Sequence, residues 1–379
     1  MTQNKSIMEV ELSPYKWATH LDKLEKLANN EDIYPVTIEL DLNGYCNHNC
    51  GWCVDPIHMK DSLDTKFVLS LINEMKSLGT EGIVFKGGGE GTLHQSYKEI
   101  LNETKKLGFE IGIITNGSKL PELYESIVCN ANYIRVSIDG PTKESHNKIH
   151  KSNDFDKIVS GIKDMIQLRN SLNQRHPVIG LSFAMDYSSI NLVNSAIKLG
   201  DELKSDYIMF RPPFFEEVGK PSTMTIEQKI SLMSIFEKEK NEYNGKMNIF
   251  IDHWISDTEI EHFASKEDSP RRGKYMSLGF NGIEHVTGTC LASPLMAIIT
   301  SDKKVYPCCN LRSIDEWSIG TLDYTTGETF EKIWNSEQRK TIIHDIKNIK
   351  CIKSCTHPMS KYNEIIEYLK SPQYHKGFV

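Results

Sequence analysis

Three cysteines in one short stretch, Cys46, Cys50 and Cys53, are the residues of this chain best suited to chemistry. Thiolates bind zinc and iron–sulfur clusters, and a short loop lets three of them converge on one inorganic centre. Their number decides what such a centre can do. A 4Fe–4S cube with three protein ligands keeps one iron open, and an open iron can chelate the amine and carboxylate of a bound molecule, as catalytic metals do elsewhere. The alternative is a zinc knuckle with His48 as fourth ligand. His48 lies between the cysteines, where closing a loop around one tetrahedral ion would be cramped.

The chain has nine cysteines. An odd number, with no secretion signal in view, disfavours a disulfide framework and favours metal sites. Five follow residue 289: Cys290, Cys308, Cys309, Cys351 and Cys355. Cys129, ahead of the fourth expected strand, reads as a buried core cysteine at the far end of the fold.

A second candidate is the run Lys86-Gly87-Gly88-Gly89-Glu90. Glycines at a strand end admit close backbone approach to a ligand, and the adjacent carboxylate can accept from an ammonium group. Further polar groups fall at the ends of expected strands: Asn116 in Thr115-Asn116-Gly117, Ser137 in Val136-Ser137-Ile138-Asp139-Gly140, Arg211, Asp186, and the Asp252-His253 pair. Lys86, Asp186 and His253 are candidate substrate contacts, equally readable as solvated rim residues. Arg211 could present a cation to a cofactor or substrate, or form a rim salt bridge.

The elements that must position these groups follow from periodicity. Short apolar runs at Val36–Leu42, Gly82–Lys86, Glu110–Thr115, Tyr133–Ile138, Val178–Met185 and Tyr207–Phe210 read as strands. Amphipathic helices lie between them: Phe67, Val68, Leu71, Ile72 and Met75 form one apolar stripe, and Ile158, Val159, Ile162, Met165 and Ile166 another. Leu78-Gly79, Leu107-Gly108 and Leu199-Gly200 read as helix stops, and Pro121 as a helix start. Six βα units in series predict an α/β fold, a partial (β/α)6 TIM-like barrel, with chemistry at the C-terminal strand ends. The first cysteine triplet then lies on the first βα loop. Residues 1–34 read as a lead-in with a helix near Trp17–Ala28, 35–215 as the barrel, 216–285 as an extension or linker, and 286–379 as a smaller C-terminal domain. The 379 residues are ample for two domains.

Composition narrows the function. A net charge of −7 argues against a broad nucleic-acid footprint. No apolar stretch approaches a membrane span, and the polar N-terminus has no signal-peptide core, so a cytoplasmic location is the default.

The spacing Cys46-x3-Cys50-x2-Cys53 after the first strand, with Trp52 before the last cysteine, resembles the radical S-adenosylmethionine (SAM) superfamily. The resemblance implies a SAM-cleaving 4Fe–4S cluster on Cys46, Cys50 and Cys53, with Trp52 beside it. It implies binding of the methionine amine by Gly88, Gly89 and Glu90, where the family's following proline is Gly91. Asn116 and Ser137 would line the SAM pocket. Where relatives often carry an arginine, this chain has Ile149-His150, which puts any arginine contact from that loop in doubt. The segments around Tyr306-Pro307-Cys308-Cys309, Gly320-Thr321-Leu322 and Phe330–Asn335 resemble the twitch form of the SPASM domain. That implies a second 4Fe–4S cluster closed by Cys290, Cys308, Cys351 and Cys355, with a structural zinc ribbon as the alternative and an iron–sulfur or zinc scaffold protein as the non-enzyme reading. Lys303 replaces a family glycine, which alters a turn.

The resemblance further implies that SAM yields a 5′-deoxyadenosyl radical that takes hydrogen from a substrate, with a reduced flavodoxin or ferredoxin as electron donor. Residues 1–34 are too few for the winged leader-binding domain that many peptide modifiers carry. A small polar metabolite such as a sugar, aminocyclitol or nucleotide is therefore the expected substrate, with peptide modification second. The expected outcome is oxidation or epimerisation. Epimerisation needs a hydrogen donor, and Cys309 is the spare thiol; an extended chain at Cys308 would turn it away and favour oxidation.

Overall fold

Alternating short strands and amphipathic helices assemble into one sheet in the computed structural model, which describes residues 14–51, 53, 61–211, 224–251, 290–309, 311–346 and 357–370. The core runs β1 (Thr37–Leu40), α1 (Thr65–Ser77), β2 (Gly82–Phe85), α2 (Tyr97–Lys106), β3 (Glu110–Thr115), α3 (Leu120–Asn130), β4 (Tyr133–Ser137), α4 (Lys143–His150), α5 (Phe155–Ser171), β5 (Val178–Ala184), α6 (Val193–Leu203) and β6 (Tyr207–Arg211). Each strand pairs in parallel with the next. The six expected strands are all present.

The apolar stripes face the sheet as their spacing requires. Val68, Leu71, Ile72 and Met75 of α1 are buried, as are Ile158, Ile162, Met165 and Ile166 of α5. Asp64 starts α1 by accepting from Lys66 N and Phe67 N, which satisfies two of the orphan donors of the first turn. Gly79 and Gly108 end helices in the left-handed conformation, with φ of 84° and 77°, and Pro121 lies in the first turn of α3. Gly200 does not stop its helix. It lies inside α6, and a Cβ there would meet Ile208 Cγ2 and Met247 Sδ at 2.6 Å. Close helix–sheet packing is its reason, and Lys204, at φ 58°, forms the turn instead.

Two features extend the barrel. After α7 (Ile226–Glu242), the segment read as a barrel extension or linker supplies a further parallel strand, β7 (Asn248–Ile251), beside β6. At the other edge, β8 (Met296–Ile299) pairs in parallel with β1, and β9 (Lys304–Tyr306) and β10 (Gly320–Thr321) follow antiparallel. The ten strands form a single sheet, so the segment with the late cysteines continues the barrel's own hydrogen-bond ladder. Lys303 sits in the β8–β9 turn at φ 67°, the conformation for which glycine is suited, so the turn is kept.

Helices α8 (Phe330–Trp334) and α9 (Glu337–Asp345) follow, and α10 (His357–Lys370) closes the described chain. The lead-in forms a 3-10 turn at Pro14–Thr19 and a helix at Leu21–Ala28. Its Leu24 and Leu27 share a small core with Ala292, Leu295 and Ile366. Trp334 donates to Ile33 O at 2.8 Å, and Arg339 pairs with Asp32 at 3.0 Å. The chain around Ile33 is thereby clasped by the C-terminal segment. Cys129 is exposed on α3 rather than buried. Its neighbours Ile127 and Val128 take the inward positions, which leaves residue 129 on the outer face. Among the described residues no helix is long and apolar enough to cross a membrane.

Candidate active site

Polar residues are unusual inside parallel sheets, whose strands are ordinarily apolar on both faces. Here β1, β2 and β4 alternate, and the helix-side positions carry the buried apolar side chains. On β4, Val136 lies beside Ile158 of α5, so Tyr133, Arg135 and Ser137 take the opposite, concave face. Glu39 of β1 shares that face and pairs with Lys86 at 2.6 Å. The concave side of the sheet is therefore polar, as a ligand-binding interior requires.

The cysteine loop crosses the top of β1 and β2. Asp41 is buried, accepts from Gly88 N at 3.3 Å and pairs with Arg312, three residues beyond Cys309. One carboxylate thus ties together the first strand, the glycine loop and the C-terminal segment. Tyr45 O accepts from Glu90 N at 2.8 Å, and Asn43 Nδ2 reaches Tyr45 O at 3.3 Å. A Cβ on Gly89 would lie 2.3 Å from Tyr45 O and 2.5 Å from Asn43 O. The close backbone approach that demands glycine at 89 is therefore to the cysteine loop itself.

Glu90 is buried, and both of its carboxylate oxygens accept hydrogen bonds. Its Oε1 accepts from Thr92 N (3.1 Å), Thr92 Oγ1 (2.6 Å) and Thr115 Oγ1 (2.7 Å), and its Oε2 accepts from Asn116 N at 2.7 Å. Oε2 thus keeps acceptor capacity for a second donor. Asn116 completes the frame: its Nδ2 donates to Asn47 Oδ1 at 2.9 Å and lies 3.8 Å from Cys46 Sγ.

Burial pushes the Cys46 thiol up to about 12, with Glu90, Cys50 and Cys53 adding repulsion against the lowering effect of the His48 N–H. Three thiolates beside a carboxylate are untenable without a cation among them. A metal centre reverses this, since it displaces the thiol protons. The His48 N–H, 3.4 Å from Cys46 Sγ, suits a thiolate acceptor. The triplet therefore fits a cluster.

Behind the loop lies a group of residues that sequence reasoning missed. Gly140, where a Cβ would meet His146 N at 2.3 Å, lets α4 dock against the end of β4. His146 and His150, one turn apart on α4, face the cysteine loop and stack at 4.2 Å. His150 Nε2 pairs with Asp139 at 3.0 Å, and its Nδ1 lies 3.3 Å from Cys50 Sγ and 3.1 Å from His48 Nδ1. His48 Nε2 contacts Asp154 Oδ2 at 3.0 Å. Burial opposes charge on His150, but Asp139 and Cys50 outweigh it and carry the imidazole up to about 10. Burial and the neighbouring His150 hold His146 down to about 4, and lower His48 as well. The (i, i+4) histidine pair was the available signal.

The remaining candidates divide. Ser137 ends β4 opposite Ser182, and Arg211 ends β6 opposite Ala184. Asp186 accepts from Ser188 Oγ at 2.5 Å and Ser189 Oγ at 3.3 Å, which anchors a turn. Cys290 is held by Asn363, and burial raises its thiol. Ser293 donates to Pro307 O at 3.1 Å, which brings the chain after Cys290 against the residue before Cys308. Cys308 lies just beyond β9, which ends at Tyr306. The Cys308 and Cys309 thiols hydrogen-bond each other. That bond, then burial and Glu39, raise Cys309 well above its ordinary value, with Lys86 opposing. Trp52, His253, Cys351 and Cys355 lie outside the described residues.

The radical SAM superfamily profile matches residues 41–179, and that of the SPASM iron–sulfur cluster-binding domain matches residues 290–357. The chain is a radical SAM superfamily enzyme with a C-terminal SPASM domain. It is similar to a probable GTP 3′,8-cyclase of Thermococcus kodakarensis, 24% identical over 239 residues, 60% of this chain and 76% of that one. A similar protein of Saccharolobus islandicus is 28% identical, but the match spans only 44% of its length and 35% of this chain. An S-adenosylmethionine-dependent nucleotide dehydratase of Selenomonas ruminantium is 23% identical over 44% of this chain and 61% of that one. Among solved structures, Streptococcus suis SuiB bound to SAM aligns at TM-score 0.63 and 14% identity, covering 89% of this chain and 76% of that one. Native anSMEcpe with bound SAM aligns at 0.55 and 17% identity, covering 89% and 96%. At these identities the likeness is one of fold. The cofactors of the two domains are 4Fe–4S clusters and SAM.

Proposed function

We propose that this enzyme takes hydrogen from a small anionic metabolite held inside the barrel, with oxidation or epimerisation as the outcome. Cys46, Cys50 and Cys53 hold the SAM-cleaving cluster, and Cys290, Cys308, Cys351 and Cys355 the auxiliary one. When bound, the first cluster and SAM supply a 5′-deoxyadenosyl radical; a reduced flavodoxin or ferredoxin is the electron donor. Glu90 Oε2, with Gly88 and Gly89, receives the SAM amine, and Ser137 and Asn116 line the pocket. Arg211, at the end of β6, is the candidate cation for this pocket, and Trp52 is a further cofactor contact that the family resemblance implies. The protein's remaining task is to fix the substrate and exclude water.

Arg135 carries the substrate reading. It lies on the concave face one strand repeat below Ser137, and among the described residues the hydrogen-bond partner of its Nη1 is the thioether of Met209, at 3.6 Å. Its Nε is buried and meets no acceptor among the described residues. A buried guanidinium donor without an acceptor is costly, and a carboxylate or phosphate satisfies it in the geometry arginine favours. The nucleotide chemistry named for two relatives supports the same class of substrate.

The test is calorimetry on the cluster-loaded, SAM-bound protein with GTP, inorganic pyrophosphate and short uncharged peptides as probes. Arg135→Gln should weaken anion binding about 10- to 150-fold, the equivalent of ~1.5–3 kcal/mol for a hydrogen bond to a charged group. SAM affinity should be unchanged. Peptide binding that ignores Arg135, with no anion binding, would replace the metabolite by a peptide.

A further inference from the structure

We propose that His150 is a positioning residue for the SAM-cleaving cluster: it donates a hydrogen bond to the Cys50 sulfur, is braced from behind by Asp139, and raises the cluster's reduction potential. The inference rests on the assignment of Cys50 as a cluster ligand.

The hydrogen-bond directions follow from what each ring nitrogen faces. His150 Nε2 looks onto the Asp139 carboxylate at 3.0 Å, and a carboxylate only accepts. His150 Nδ1 lies between Cys50 Sγ at 3.3 Å and His48 Nδ1 at 3.1 Å. His48 Nε2 faces the Asp154 carboxylate at 3.0 Å and so carries that ring's hydrogen. His48 Nδ1 is then a lone pair, and the Nδ1 hydrogen belongs to His150. It is shared between the His48 nitrogen and the Cys50 sulfur. The chain Asp154–His48–His150–Asp139 is thus closed at both ends by carboxylates, with one donor aimed at a cysteine of the triplet.

The surroundings hold that donor in place. His150 is 2% exposed and His48 2%. His146 stacks on His150 and is itself fixed by Ile138 O at 2.6 Å. Asn49 N donates to His150 O at 3.1 Å, so the cysteine loop and the end of α4 move as one. Asp139 is anchored in turn, because its Oδ1 accepts from Ala184 N at 2.7 Å. Outer partners of this kind orient metal ligands and tune the centre they hold.

The sign follows from electrostatics. Reduction adds negative charge that spreads onto the cluster's thiolates, and an N–H pointed at a sulfur stabilises the more negative state. A hydrogen bond from His150 therefore makes the cluster easier to reduce, and its removal makes reduction harder.

The experiment is an EPR-monitored potentiometric titration of reconstituted protein, using the signal that changes when SAM is added. His150→Phe keeps a ring against His146 and removes the donor. It should retain wild-type iron and lower the reduction equilibrium constant about tenfold, which is ~59 mV for a one-electron couple. His150→Asn places an amide nitrogen near the former Nδ1 and should recover most of the potential. An exchangeable proton coupled to the cluster in wild type and in His150→Asn should be missing in His150→Phe. Full iron with an unchanged potential in His150→Phe would overturn the proposal alone. A directly bound nitrogen, seen as strong 14N coupling, would also overturn it by making His150 a ligand. Unchanged iron in a Cys46→Ala, Cys50→Ala, Cys53→Ala variant would remove the ligand assignment and the proposal with it.

Discussion

Gly89→Ala is the sharpest test of how the two cofactor loops are joined. The added methyl would lie 2.3 Å from Tyr45 O, 2.5 Å from Asn43 O and 2.5 Å from Gly44 C. All three are backbone atoms, so no side-chain rotation relieves the clash. Reaching even the 3.0 Å floor for such contacts requires the loops to part by about 0.7 Å. Overpacking of this kind costs ~1–3 kcal/mol. The bond from Glu90 N to Tyr45 O, at 2.8 Å, spans the same contact. Its loss adds about 1 kcal/mol. A total of roughly 2–4 kcal/mol lowers the population of the joined conformation about 30- to 1,000-fold. Tyr45 directly precedes Cys46, and Glu90 directly follows Gly89, so both cofactor contacts are displaced. The assay is SAM calorimetry with iron analysis on anaerobically reconstituted protein. SAM affinity should fall by at least an order of magnitude. The control is Gly91→Ala, where an added Cβ meets nothing within 4 Å. It should match wild type or gain ~0.4–1 kcal/mol of stability from a stiffer unfolded chain. Wild-type SAM affinity and full iron in Gly89→Ala would refute the packing argument, as would equal losses in the two variants.

Two further outcomes follow. Glu90→Gln turns one carboxylate oxygen into a donor facing either Asn116 N or the Thr92 and Thr115 donors, so SAM binding should weaken by ~1.5–3 kcal/mol and the melting temperature should fall with it. Equal melting temperatures would show that the carboxylate does not brace β2 against β3. If the outcome is epimerisation, Cys309 is the thiol expected to return hydrogen to the substrate radical. Turnover in deuterated water should leave solvent deuterium in a product isomeric with the substrate, and Cys309→Ala should abolish that incorporation. A ketone product with no deuterium in either protein would assign the reaction to oxidation.

Much of the barrel was legible because its code is local. The period of an apolar stripe and the glycine after a helix are set within a few residues, and α1, α5, Gly79 and Gly108 obey them. The cysteine triplet was legible for the same reason, since its spacing lies within one loop. Gly200 misled because glycine serves two purposes, a left-handed turn or close packing. Only the positions of Ile208 and Met247, brought over it by the sheet, decide between them. Cys129 misled because its burial depends on which side of α3 meets the core, and the adjacent Ile127 and Val128 already fill that side.

The long-range pairings could not be read locally. Nothing near Met296–Ile299 indicates that it joins β1, more than 250 residues earlier. That pairing has a consequence for the chemistry. Asp41 N donates to Ile299 O, while the Asp41 carboxylate holds Gly88 N and Arg312. The first strand is therefore bonded directly to the segment that carries the late cysteines, and the glycine loop is tied to it through the Asp41 carboxylate. Breaking a buried ion pair by removing one partner is strongly destabilising, since it strands the other charge. Asp41 and Arg312 are 3% and 8% exposed at their side chains, so a shift of the C-terminal segment away from β1 would strand both. The same argument explains why the polar interior remained hidden. Glu39, Lys86 and Arg135 look like solvated rim residues along the chain, and only the closing of the sheet turns them inward together.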